Sequence, residues 1–227
     1  AFDFTATRPL KADEATPMDP RPRVLVVSDA APQRNGVGTY YSDLIEHLRD
    51  SVGDIALIAA GDPAHPRRHW FETGLPGDAT QRIAVPAPRA FWRSLEAWRP
   101  DTLIVATPGP YGVLAALMAR RLGARLIFGL HTDYEALAAL YWGRLRGWLN
   151  RALMARVNAV VFRRAAVVVS NSAHMHQLAR DKAAHHAVRV HTPVPRAFLD
   201  TPVAALETPP RRILFVGRLA AENASNR

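Results

Sequence analysis

Short apolar runs alternate with helical segments along most of the chain. The runs "RVLVVSD" at residues 23–29 and "DIALIAA" at 54–60 predict buried strands. Between them, "GVGTYYSDLIEHLRD" at 36–50 has apolar residues at spacings of three and four, which predicts a helix. Strands without polar alternation, separated by helices, are typical of a parallel sheet covered on both faces. The pattern therefore predicts a doubly wound α/β fold.

The same alternation continues toward the carboxyl terminus. Further strands are predicted at 101–109, 124–131, 165–172 and 187–195, and further helices at 90–100, 110–123, 134–164 and 172–183. Ser172 is placed to cap the last of these helices. The segment 61–81 is dense in Gly and Pro and is predicted as a loop, followed by a short strand at 82–88.

The two ends of the chain differ from this rhythm. Residues 1–22 predict a flexible, Pro-containing lead-in, and residues 23–200 form the predicted domain. Residues 201–227 begin as a Pro-rich linker and end in the apolar run "ILFVG" and a Gly-Arg turn. Because a strand needs partners, we expect this run to be the first element of a second, truncated domain.

Composition and charge narrow the class of protein. A chain of 227 residues with 48% hydrophobic and 22% charged residues is typical of a globular protein. It has no cysteine, which excludes disulfides and thiolate metal sites, and no apolar run near the roughly 20 residues that span a bilayer. With no secretory signal pattern either, we expect a cytoplasmic protein. The net charge of +9 favours nucleotides, nucleic acid or an anionic membrane, or reflects only a solvated basic face.

Three loops follow predicted strands and are the candidate site. In a doubly wound sheet such loops line the ligand crevice. Asn35-Gly36 allows a sharp turn and a close backbone approach to a ligand. Thr132 or Asp133 can cap the helix that follows the third loop. The loops contain Asn35, Gly36 and Val37; Gly109; and His131, Thr132, Asp133 and Tyr134.

Other candidate chemistry is weaker. Gly36 and Gly38 have the spacing of the first two glycines of a dinucleotide-binding fingerprint. Tyr41 stands where the third glycine would be, so the fingerprint is incomplete. His174 and His176 diverge on a helix, so no metal site is expected. The segment 141–164 mixes tryptophans with arginines, which suits either an anionic membrane interface or an ordinary helix with an exposed basic side.

Five segments in order carry a resemblance: "NGVGTYYSDLIEHL", "ATPGPYGVLAALMARRLG", "FGLHTDYEALAALYW", "VVVSNSAHMHQL" and "ILFVGRLAAE". Over about residues 23–222 the chain resembles the retaining family 4 glycosyltransferases of the GT-B fold, in the bacterial branch of glycolipid mannosyl- and glucosyltransferases. The resemblance implies the Rossmann-like, N-terminal, acceptor-side half of such an enzyme. It implies that Asn35-Gly36-Val37 approaches the donor phosphates. It also implies that His131 contacts the transferred sugar near its reacting carbon, and that Arg218 pairs with the donor diphosphate.

The implied reaction moves a hexose from a nucleotide-diphosphate sugar to an acceptor hydroxyl, with no further cofactor. A membrane lipid is the expected acceptor. The enzyme is expected to bind peripherally at the inner face of the plasma membrane, and no nucleic-acid partner is expected. The chain departs from the family where Asn35 replaces a glycine, where no lysine follows Glu222, and where the donor-binding glutamates of the C-terminal domain are absent. Alone, it is therefore expected to be inactive. A soluble acceptor and a non-enzymatic basic binding module are the alternatives.

Overall fold

A computed structural model describes residues 21–32, 35–60, 69–75, 78–136, 144–182 and 186–202. Six strands form one parallel sheet, with neighbours in the order β2-β1-β5-β6-β7-β8. They are β1 (Arg23–Ser28), β2 (Asp54–Ala59), β5 (Thr102–Val105), β6 (Arg125–Leu130), β7 (Val167–Ser170) and β8 (Ala187–Arg189). The strand order reverses between β1 and β5, which makes this the switch point of a doubly wound sheet.

Helices follow the strands, as the periodicity predicts. They are α1 (Gly36–Leu48), α2 (Pro88–Trp98), α3 (Pro110–Leu122), α4 (Arg144–Phe162), α5 (Ala173–Asp181) and the short α6 (Arg196–Leu199). Proline occupies the first turn of α2 and α3, where its missing N–H costs nothing. Gly123 ends α3 in the left-handed conformation (φ 70°) that glycine adopts without strain. Ser172 caps α5, as predicted, by accepting from the Met175 N–H.

Both faces of the sheet are covered, which explains the unbroken apolar runs. In β1, Leu25 and Val27 belong to a large core with α2, α3 and residues of α4 and α5. The alternate residues Val24 and Val26 pack on the other face against α1. The predicted doubly wound α/β fold is therefore confirmed.

The loop predicted at 61–81 is partly wrong. Residues 69–86 contain an antiparallel hairpin of β3 (His69–Leu75) and β4 (Asp78–Pro86). Its outer strand leaves Trp70 74% and Phe71 59% exposed, whereas Ala84 of β4 is buried. A hairpin that buries little apolar surface has little of the apolar periodicity from which strands are recognised, and its Gly and Pro content favoured a loop.

Other predicted elements differ in their bounds. The last strand is three residues long, against the nine predicted at 187–195. Within the region predicted as helical at 134–164, residues 134–136 and α4 are helical, and 137–143 lie outside the described residues. Residues 1–20 of the lead-in expected at 1–22 also lie outside them, as do the strand "ILFVG" and Arg218.

Candidate active site

The three predicted loops follow the carboxyl ends of β1, β5 and β6, which are consecutive neighbours in the sheet. Parallel strands end at the same edge, so these loops line one crevice at the switch point. The structure thus brings the residues of the first loop, Gly109 and the residues that follow β6 to a common edge.

Asn35 and Gly36 open α1 at this edge. Asn35 Oδ1 accepts a hydrogen bond of 2.9 Å from the Gly38 N–H, so its side chain caps the helix. Its backbone is extended (φ −151°), a conformation open to any residue. A Cβ at Gly36 would meet nothing within 4 Å among the described residues, so the space beside it is open there. The glycine leaves room for a ligand and is not required by a positive φ.

Asp29, which follows β1 directly, links this strand to the next loop. Its Oδ2 accepts from the Thr107 hydroxyl at 2.8 Å, and the Asp29 N–H donates to the same hydroxyl oxygen at 2.8 Å. Its carboxylate also accepts from the backbone N–H groups of Tyr111 (2.7 Å) and Gly112 (3.2 Å). A carboxylate from a different strand therefore occupies the N-terminal end of α3, which has no side-chain cap of its own.

Gly109 is small because Asp29 lies against it. A Cβ there would stand 2.6 Å from Asp29 Oδ1 and 2.7 Å from Oδ2, closer than any side chain could approach. Burial raises the pKa of Asp29 to about 6, an effect that its hydrogen-bond donors only partly offset. Gly109 thus has a packing role in the structure.

His131 is held by Tyr41 of α1. Its Nε2 and the Tyr41 hydroxyl share a hydrogen bond of 2.9 Å, and its ring lies 4.3 Å from that of Tyr40. Its Nδ1 is buried and has no hydrogen-bond partner among the described residues. Burial lowers the pKa of His131 to about 4, so its imidazole is neutral at physiological pH. A Cβ at Gly129 would lie 2.7 Å from His131 Nε2 and closer still to the Tyr41 hydroxyl, so this strand glycine admits the pair.

The residues after His131 start the next helical segment. Asp133 Oδ1 accepts from the N–H groups of Glu135 and Ala136, which confirms the prediction that Thr132 or Asp133 caps it. The Tyr134 N–H donates to the Thr132 carbonyl at 3.1 Å. Burial and the nearby Asp29 carboxylate raise the pKa of Tyr134, so its phenol stays protonated. The His131 loop and the Asp29 network are therefore neighbours.

The sequence model of Glycosyltransferase Family 4 matches residues 34–213, which is most of the chain. The chain belongs to glycosyltransferase family 4. It is 31% identical over 132 residues to a GDP-mannose-dependent alpha-mannosyltransferase of Mycobacterium tuberculosis (strain CDC 1551 / Oshkosh). That match covers 52% of this chain and 34% of the relative, so the chain spans about a third of the relative's length.

Membership of family 4 confirms the resemblance read from the five segments. The roles of His131, Asn35, Gly36 and Val37 toward a substrate stay predictions, as do those of Thr132, Asp133, Tyr134 and Gly109. Arg218 lies outside the described residues.

Among the described residues, no three His, Asp or Glu side chains are grouped to hold a metal ion. No described helix is both long and apolar enough to cross a bilayer.

Two residues of the candidate site, Asp29 and Tyr41, were not predicted from the sequence. Asp29 could have been predicted from its position, because it follows β1 directly at the switch point. For Tyr41 the signal is weaker: a glycine inside a buried strand, here Gly129, often marks a close approach by another group.

Beside the crevice, the family 4 chain has an apolar groove of about 410 Å³. Residues of α3 (Val113, Leu114 and Leu117) and of α4 (Leu153, Met154 and Val157) form its two helical walls. Residues 108–110 line it as well, with Val85 and Pro86 of β4 and Pro88 of α2. This set of residues is called the apolar groove below.

Proposed function

We propose that the full-length enzyme containing this chain transfers a hexose from a nucleotide-diphosphate sugar to an acceptor hydroxyl with retention of configuration. The observation that carries the proposal is the half-buried His131 at the switch point, where its ring is hydrogen-bonded to Tyr41 of α1. Mannose is the first candidate sugar, because the mycobacterial relative is named for GDP-mannose. The donor and its sugar are inferences from that name and from the family.

The electrostatics of the crevice suit the two charges that separate during transfer. The first turn of α1 contains no acidic residue, and the positive end of its dipole favours a diphosphate beside Gly36. The sugar, in contrast, develops positive charge at its reacting carbon. An imidazolium there would oppose that charge, whereas the depressed pKa of His131 keeps the ring uncharged. His131 would thus contact the sugar without repelling the transition state.

The acceptor is proposed to be a membrane lipid. The net charge of +9 favours an anionic surface, and α4 carries exposed arginines, among them Arg151 and Arg156. We place the enzyme in the cytoplasm, peripherally bound at the inner face of the plasma membrane. A donor-side domain would supply the remaining contacts to the nucleotide, and no metal is required.

The test uses the full-length enzyme and its His131→Ala variant. Each is incubated with a panel of nucleotide sugars and a bacterial lipid extract, and products are identified by mass spectrometry. His47→Ala is the matched control, because His47 lies in the last turn of the same helix α1 and contacts the Val194 carbonyl. We expect a hexosyl-lipid from the wild type and from His47→Ala, and at least a tenfold smaller yield from His131→Ala.

Two other results would change the proposal. Product with soluble sugars but with no lipid would replace the acceptor and keep the chemistry. No release of nucleoside diphosphate from any donor would refute the enzyme proposal itself.

A further inference from the structure

The two helical walls of the apolar groove leave a space between them. Val113, Leu114 and Leu117 occupy positions i, i+1 and i+4 of α3, and Leu153, Met154 and Val157 repeat this spacing on α4. Apolar stripes of this kind normally interdigitate and leave few voids larger than a water molecule. A space of about 410 Å³ between them is instead the size of a small-ligand site.

The groove is also open to solvent. Leu117 is 44% exposed and Leu153 is 50% exposed, although both residues belong to apolar stripes. Exposed apolar side chains that line a groove on a charged protein suit the binding of an apolar group. The lining therefore fits an occupant that is largely hydrocarbon.

The groove and the crevice share one loop. Pro108, Gly109 and Pro110 line the groove, and Gly109 packs directly on the Asp29 carboxyl at the switch point. From Pro110 to Leu117 the wall of α3 extends about 10 Å, at 1.5 Å per residue. A molecule with its hydroxyl in the crevice could therefore extend its apolar part along α3.

We propose that the apolar groove holds a hydrocarbon chain of the lipid acceptor while the acceptor's hydroxyl reaches the crevice. This inference rests on the proposed function, because it assumes that the acceptor is a lipid. The charges nearby fit the same occupant: Arg120 and Arg121 are exposed one turn beyond Leu117, and Arg156 is exposed one turn beyond Leu153. These cations suit the anionic head groups of the membrane from which the chain would come.

Chain length is the first test. The probe is a series of 1-acyl lysophosphatidylglycerols of increasing acyl length, kept below micellar concentrations and titrated calorimetrically into the full-length protein. If the groove takes the chain, each added methylene tightens binding about fourfold until the groove is full. Affinity that does not depend on chain length overturns the proposal, as it would if residues of the protein itself fill the groove.

Three substitutions locate the binding. Leu117→Asp and Leu153→Asp place a charge in the two walls at exposed positions, where the fold tolerates it. Val188→Asp is the matched control, because Val188 is 45% exposed and does not line the groove. We expect at least a tenfold loss of affinity for the longest probe in both groove variants and none in the control. Equal effects in all three variants refute the groove as the site.

Transfer assays separate this inference from the function on which it rests. With wild-type enzyme, absence of donor turnover refutes the proposed function. If the wild type makes a hexosyl-lipid and both groove variants make it at the same rate, the groove proposal alone is wrong. Loss of lipid transfer in the groove variants, with hydrolysis of the donor by water retained, supports it.

Discussion

Asp29 offers the sharpest test of how this edge of the sheet is built. Asp29→Ala removes the acceptor for two backbone N–H groups, those of Tyr111 and Gly112, and for the Thr107 hydroxyl. Tyr111 is 1% exposed and Thr107 is 4% exposed, so water cannot easily replace the carboxylate. Each buried donor left unsatisfied costs about 1–3 kcal/mol. We therefore expect the free energy of unfolding to fall by about 4 kcal/mol, with the two backbone donors contributing most.

The assay is urea denaturation followed by circular dichroism, with thermal melts beside it. For a chain of this size, about 4 kcal/mol corresponds to a decrease in Tm of about 8–16 °C. Asp29→Asn keeps one acceptor oxygen and should lose about half as much. Ser172→Ala is the control, because it removes an ordinary helix cap and should cost about 1 kcal/mol. A loss in Asp29→Ala no larger than that in Ser172→Ala would refute the network as described.

The same variants test the electrostatics. Since burial raises the pKa of Asp29 from 3.8 to about 6, the folded state binds a proton that the unfolded state releases between these values. The contribution of Asp29 to stability is therefore complete below about pH 4 and declines as the pH rises through about 6. The stability of the wild type relative to Asp29→Asn should decrease over this range. An increase instead would mean that the three donors outweigh burial, and that the carboxyl pKa is lowered.

Three further substitutions extend these tests. Gly36→Ala should leave the Tm unchanged, because a Cβ there meets nothing within 4 Å among the described residues, but should raise the KM for the donor in the full-length enzyme; an unchanged KM would remove Gly36 from the donor site. Gly129→Ala should reduce the free energy of unfolding by about 1–3 kcal/mol and reduce transfer, because the added methyl overlaps Tyr41; normal stability would show that the pair can shift. Lys182→Met should cost about 1–3 kcal/mol in urea denaturation, because it leaves the largely buried Glu135 carboxylate without its cation; no loss would show that water replaces the ammonium.

Elements that bury apolar residues continuously could be predicted from the sequence. The strands β1, β5 and β6 and the helices that follow them were predicted, because a sheet covered on both faces leaves an unbroken apolar run in each strand. The β3–β4 hairpin was missed because its outer strand remains exposed and has no such pattern. The pattern of apolar residues along the sequence indicates which elements are buried. It gives little information about an element that is exposed.

The sequence predicted where the site lies in the fold, but not which of its residues contact one another. The ends of parallel strands indicated the edge at which Asn35, Gly109 and His131 lie. The partner of Asp29, Thr107, is 78 residues away, and Tyr41 is 90 residues from His131. No periodicity encodes such pairings, because they depend on how separate strands and helices meet in the folded chain.

One helix carries both halves of the proposed chemistry. The first turn of α1 faces the crevice where a diphosphate would leave, and Tyr41, six residues after Asn35, holds the ring that would contact the sugar. At 1.5 Å per residue these two points are about 9 Å apart along a rigid element. If α1 moves when the donor binds, its contacts to the leaving diphosphate and to the sugar would therefore move together. The geometry of the helix fixes the distance between these two contacts, and motion of the surrounding loops does not change it.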